Sequence, residues 1–175
     1  PYSDKVILDS SYNYFLRTCK NREYINILKA FEKPKKENLK GKIAPDFTGN
    51  DISGKKYSLT DFKGKFIFID FWATWCGPCR EETPSMKAIF KKYEDNEDLV
   101  ILSLSIDKDI DEWKKVVKDE NMNWLQLHTP PDSKFLDEYQ VDYIPKFVLI
   151  DKEGVILNPE APRPSNKELM KLLDK

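Results

Sequence analysis

The spacing of hydrophobic positions changes sharply about forty residues into this chain. In the first part Val6, Ile7, Leu8, Tyr12, Phe15, Leu16 and Cys19, then Tyr24, Ile27, Leu28 and Phe31, recur every three or four residues. That is the period of one or two amphipathic helices. Pro34 and the lysine-rich stretch from Lys33 to Lys42 break the pattern and read as a linker. Residues 1–40 are therefore expected to be a helical extension packed on the domain that follows, or the remnant of a larger upstream region. Residues 41–175 form that domain.

From Ile43 the pattern predicts alternating strands and helices. Phe47–Asn50 and Lys56–Leu59 flank Ile52-Ser53-Gly54 and read as a hairpin. Lys65–Phe71 is a short run rich in Phe and Ile, as in a strand buried on both faces. Met86, Ile89, Phe90 and Tyr93 carry helical spacing across Gly77–Tyr93, and Leu99–Ile106 reads as a second strand. Ile110, Trp113, Val116 and Val117 mark a helix, Trp124–Leu127 a short strand and Phe135–Tyr139 a short helix. Lys146–Ile150 and Val155–Leu157 are strands around the turn Asp151-Lys152-Glu153-Gly154. Ser165 followed by Glu168 reads as the capping box of a last helix. The alternation predicts an α/β fold on a mixed sheet, parallel at its centre. No internal repeat or low-complexity tract interrupts it.

Composition narrows the functions. The 29 basic and 30 acidic residues leave a net charge of -1, which gives no attraction to nucleic acid or an anionic membrane. No apolar run approaches the roughly 18 residues of a membrane-spanning helix. The chain opens at Pro1 rather than Met, as expected of a processed or trimmed protein whose targeting segment is absent. Three cysteines are too few, and odd in number, for a disulfide scaffold. Two of them form C-x-x-C and the third, Cys19, stands on an apolar helical stripe as a small hydrophobe.

The chemistry concentrates in Phe71-Trp72-Ala73-Thr74-Trp75-Cys76-Gly77-Pro78-Cys79-Arg80, between a buried strand and a helix. Cys76 at the helix start would be stabilised as a thiolate by unpaired N–H groups and the positive end of the helix dipole. Cys79, one turn on, is placed to attack a mixed disulfide at Cys76. Pro78 is tolerated in the first turn, and Gly77 keeps bulk away from the attacking sulfur. A structural zinc would need four ligands, and only Cys19 and His128 stand beside the pair, so no metal is expected. A purely structural disulfide closing so small a loop would add little stability.

The segment resembles the thioredoxin active site, and the match extends well beyond the motif. Asp70 stands where thioredoxins carry a buried acid, and Trp72 where they carry its paired tryptophan. Pro84 matches the proline of the active-site helix. Tyr143-Ile144-Pro145 matches the segment with the cis-proline. Ala44-Pro45-Asp46-Phe47, Gly54-Lys55, Leu59, Phe62-Lys63-Gly64-Lys65, Glu82, Asp151–Ile156 and the insertion from Asp109 to about Tyr139 are similar to the TlpA/ResA-like (AhpC/TSA-related) family. The resemblance covers roughly residues 43–174. It implies a thioredoxin fold: a central mixed β-sheet flanked by helices, with an N-terminal β-hairpin and an inserted α/β element.

It also implies roles. Cys76 is the nucleophile, Cys79 the resolving thiol and Asp70 the acid/base that takes the proton of Cys79. Trp75, Gly77, Pro78, Ile144 and Pro145 line the substrate groove. Burial should raise the pKa of Asp70. Where thioredoxin pairs this acid with a lysine the chain has Ser103, whose hydroxyl could hydrogen-bond instead. The Ile144–Pro145 bond is expected to be cis, exposing the Ile144 backbone to a substrate peptide. Lys146 is expected to put a charge near the groove. Glu82 reads equally as a solvated or a functional residue, Trp113 and Trp124 as core, and His128 carries no assignment.

These features point to a thiol–disulfide oxidoreductase that reduces disulfides in protein substrates and needs no cofactor. Gly77-Pro78 resembles the reducing members. The resemblance implies recharging by a membrane or thioredoxin-type electron donor, in the periplasm or cell envelope. A disulfide isomerase or oxidase of the same fold is the alternative. A thiol peroxidase would need Pro-x-x-x-Thr/Ser-x-x-Cys, but Trp72 and Ala73 stand in that span. A non-catalytic binding module would not need both cysteines and Pro145.

Overall fold

The computed structural model describes Cys19 and residues 38–174. The helical reading of residues 1–40 lies outside them, apart from Cys19, which is half-buried rather than fully enclosed, and the last few residues. Residues 38–174 fall in one compact unit.

Strands β1 (Thr48–Asn50) and β2 (Lys56–Ser58) form the hairpin, followed by a 3-10 turn over Leu59–Phe62. Then come β3 (Phe66–Trp72), α1 (Gly77–Tyr93), β4 (Leu99–Ser105), α2 (Ile110–Asp119), β5 (Leu125–His128) and α3 (Lys134–Glu138). The chain closes with β6 (Lys146–Ile150), β7 (Ile156–Asn158) and α4 (Lys167–Leu173). The seven strands lie in the order β2-β1-β5-β4-β3-β6-β7. β3 runs parallel to β4 and β4 to β5; β6 and β7 join one side, and the hairpin the other, antiparallel. This is the predicted mixed α/β sheet with its N-terminal hairpin, and α2, β5 and α3 form the inserted element. No helix among the described residues is long and apolar enough to cross a membrane.

The run Phe66–Trp72 lacks polar alternation because both faces of β3 are covered. Phe68 and Trp72 face a cluster with Met86 and Ile89 of α1, Trp113 of α2 and Leu169 of α4. Ile67, Ile69 and Phe71 face another with Phe47, Phe62, Phe135, Leu136 and Tyr139. The two-residue period therefore sets Asp70 on the α1 side, between Phe68 and Trp72. Gly49 of β1 is required by close approach: a Cβ there would lie 3.0 Å from both Leu104 Cδ1 and Leu127 Cβ.

One cap departs from expectation. Helix α4 begins after Asn166, whose side chain accepts from Glu168 N at 2.9 Å. Ser165 is not the cap because a longer-range partner engages it, described below.

Candidate active site

Cys76 is the N-cap of α1, and its Sγ accepts from the backbone N–H of Cys79 at 3.2 Å. Its carbonyl also accepts from Cys79 N and Arg80 N, both at 3.1 Å. The Cys79 N–H thus reaches Cys76 Sγ at the positive end of α1, the arrangement that favours a thiolate there. The two cysteines are joined in a disulfide with a Cα–Cα distance of 5.2 Å. Both are buried, whereas Gly77 and Pro78 are exposed and Trp75 is 68% exposed. Pro84 lies inside α1, where its ring leaves the carbonyl of Arg80 without the usual helical donor.

The loop between β3 and α1 is anchored by a residue that the sequence reading did not single out. Asp107, 2% exposed, accepts from Thr74 N at 3.0 Å and from Thr74 Oγ1 at 2.7 Å. Ser105 Oγ donates at 2.7 Å to Oδ2, the oxygen that also accepts from Thr74 N, and the Asp107 carbonyl accepts from His128 Nε2 at 2.7 Å. His128 therefore has a structural partner, and its ring packs on Trp113 at 5.3 Å. Among the signals available in the sequence, only the acid just past the end of β4 could have suggested this anchor.

Asp70 is buried, and its pKa is pushed up to about 7. Burial is the main cause and the nearby negative charge of Glu82 adds to it, while the Ser103 hydroxyl acts in the opposite direction. Ser103 is Asp70's partner on β4; its Oγ donates to Asp70 Oδ2 at 2.8 Å and accepts from Trp124 Nε1 at 2.8 Å. The hydroxyl that stands in place of the thioredoxin lysine is thus oriented toward the acid by a core tryptophan. On the other side Asp70 is paired with Phe147 of β6.

The Ile144–Pro145 peptide bond is cis, and Ile144 packs against the cluster that contains Cys76 and Cys79. At two neighbouring residues the structure rules out a reading: one of the two left open for Glu82, and the expected exposure of Lys146. Glu82 is not solvated. It is 6% exposed and accepts from Ser165 N and Ser165 Oγ, each at 2.9 Å, with Arg163 Nη1 3.6 Å away. Lys146 does not offer its charge to the groove. Its side chain is 1% exposed and its Nζ donates to Glu160 Oε1 at 2.6 Å.

The chain resembles known proteins over most of its length. Residues 40–158 match the model of the AhpC/TSA family. The chain is 33% identical over 145 residues to the thiol-disulfide oxidoreductase ResA of Bacillus cereus, covering 83% of this chain and 82% of that protein. It is 32% identical over 150 residues to the thioredoxin-like protein YneN of Bacillus subtilis, covering 85% and 87%. The crystal structure of a candidate thiol-disulfide oxidoreductase from Bacteroides vulgatus superposes with a TM-score of 0.73 at 42% identity, covering 78% of this chain and 95% of that one. With a disulfide-closed C-x-x-C at the start of α1 and a buried acid on the adjoining strand, the chain belongs to the AhpC/TSA family, among its ResA-like thiol–disulfide oxidoreductases with a thioredoxin fold.

Proposed function

We propose that this thiol–disulfide oxidoreductase works as a reductase of disulfides in protein substrates, with Cys76 as nucleophile, Cys79 as resolving thiol and Asp70 as proton acceptor. The observation that carries the reading is the placement of Cys76 Sγ at the N-cap of α1, facing the Cys79 N–H and within bonding reach of Cys79 Sγ. In the reduced enzyme the Cys76 thiolate attacks one sulfur of the substrate disulfide. A mixed disulfide forms and the first substrate thiolate leaves. Asp70 takes the proton of Cys79, whose thiolate attacks Cys76 Sγ and expels the second substrate thiolate. Two electrons pass to the substrate and the enzyme is left with the Cys76–Cys79 disulfide. An acid with a pKa near 7 can both accept and release that proton close to neutral pH.

Trp75, Gly77, Pro78, Ile144 and Pro145 are the proposed docking surface. The exposure of Trp75, Gly77 and Pro78 supports it, as does the packing of Ile144 on the cysteine cluster. The family relationship supports an extracytoplasmic setting and a membrane or thioredoxin-type electron donor. The test is the reduction potential of the Cys76–Cys79 pair in dithiothreitol or glutathione buffers. A value near the thioredoxin end, about -270 mV, is expected of a reductase; one near the oxidising end, about -120 mV, makes the protein a disulfide donor or isomerase.

A further inference from the structure

The four residues Tyr143-Ile144-Pro145-Lys146 are held at both ends by one side chain from another part of the chain. Lys146 opens β6 beside Phe71 of β3, at the end of the sheet from which the Cys76 loop departs. Its ammonium is enclosed, and Glu160 Oε1 receives it at 2.6 Å. The other carboxylate oxygen, Oε2, accepts from the phenol of Tyr143. The ammonium also lies 5.9 Å from the centre of the Tyr143 ring. Glu160 is itself fixed, because its N–H donates to Asn158 Oδ1 at 3.0 Å and the next N–H, Ala161, donates to Phe147 O at 2.9 Å.

A simple surface ion pair would not look like this. Tyr143 is 54% exposed and Glu160 is half exposed, so on their own both side chains would lose conformational freedom for little gain. The enclosed ammonium changes the balance, because an unpaired charge there would be strongly disfavoured. It holds the carboxylate in one place, and the carboxylate then holds the phenol. The segment between them is the one proposed to receive the substrate.

We propose that Glu160 is a positioning residue for substrate docking, acting through Tyr143 and Lys146 to fix the Ile144 backbone against which an extended substrate segment lies. The inference rests on the docking surface proposed above. Docking of a polypeptide needs that backbone held in place, since ordering it upon binding would cost affinity. A small disulfide that reaches the sulfur without the segment does not need it. Glu160 thereby favours extended protein disulfides over small ones.

The experiment compares the parent with Glu160→Gln and Tyr143→Phe. Insulin serves as the protein disulfide and 5,5′-dithiobis(2-nitrobenzoate) as the small one, with amide hydrogen exchange followed in parallel. Glu160→Gln keeps an acceptor for the buried ammonium but removes its counter-charge, so some loss of stability is expected there; Tyr143→Phe removes one arm at an exposed position, leaves the Lys146–Glu160 pair intact and keeps the test independent of folding. In both variants the ratio of kcat/KM for insulin to that for the small disulfide should fall about ten-fold, mainly through KM, the loss expected when one charge-assisted hydrogen bond is removed. Exchange in the peptide spanning residues 143–147 should quicken while that of α1 does not. An unchanged ratio, or unchanged exchange in both variants, overturns the proposal. If the parent reduces neither probe, the reductase reading fails instead, and the exchange experiment still decides whether Glu160 holds the segment.

Discussion

The Ser103 hydroxyl donates to Asp70 Oδ2 at 2.8 Å across the β3–β4 pair, while Trp124 Nε1 donates to the Ser103 Oγ itself. A hydroxyl held from behind by a donor must send its own proton forward. It stabilises the carboxylate form of a group that burial otherwise drives toward the neutral form. If Asp70 accepts the proton of Cys79, the rate of disulfide reduction should show an inflection near neutral pH. Ser103→Ala should move that inflection upward by about one to two pH units, the equivalent of a hydrogen bond to a charged group. A pH–rate profile of the variant checks this, and an inflection that stays in place would remove Ser103 from the account.

Asp70 also makes stability depend on pH. Its folded value, about 7, lies above the ordinary 3.8, so between those values the folded protein holds a proton that the unfolded chain releases. The stabilisation is fully present below about pH 4 and is lost as pH rises through 7. Between pH 5 and pH 8 the parent should lose about 2–3 kcal/mol relative to Asp70→Asn. Urea unfolding of the oxidised forms at the two pH values measures the difference directly.

The roles proposed for Cys76 and Cys79 are separable by substitution. Cys79→Ser should leave the attack by Cys76 intact and accumulate a mixed disulfide with insulin, visible as a covalent adduct in mass spectrometry without reductant. Cys76→Ser should give no adduct and no turnover. An adduct formed through Cys79 would reverse the assignment.

Glu82 ties α1 to the segment before α4. Glu82→Ala strands the Ser165 backbone N–H and should cost about 2–4 kcal/mol of unfolding free energy. Ser165→Ala removes only the hydroxyl arm, leaves the N–H bond in place and should cost about 1 kcal/mol. Chemical denaturation of the pair of variants distinguishes an anchor from a solvated acid, for which both changes would be nearly neutral.

Much of this architecture is legible in the sequence because its causes are local. Pro78 in the first turn and apolar residues at helical spacing define α1, and the unbroken Phe/Ile run of β3 announces a strand covered on both sides. Asp70 could be expected to be buried because its strand neighbours are apolar. What was not legible depends on partners distant in the chain. Glu82 is buried by a segment 83 residues away, and Lys146 is neutralised by a residue 14 positions on, across a strand and a turn. Ser165 and Asn166 are both competent caps. Asn166 takes the position because Glu82 engages Ser165, and no local rule contains that competition. Asp107 and Glu160 went unremarked for the same reason: an acid in a loop shows its importance only when the groups around it are known.

The two margins of the sheet bear on the company such an enzyme keeps. At the start of β7 the segment at residues 41–44 pairs with Ile156, through Gly41 N to Ile156 O and Ile156 N to Lys42 O, and Ala44 N bonds Gly154 O in the turn before it. At the other margin β2 is three residues long, opens with Lys56 and follows Lys55. Strand margins of this kind are poor templates for further pairing. A protein disulfide brought to Cys76 carries extended backbone that an open strand margin would capture. On this sheet a client can be held at the disulfide without being recruited as an eighth strand.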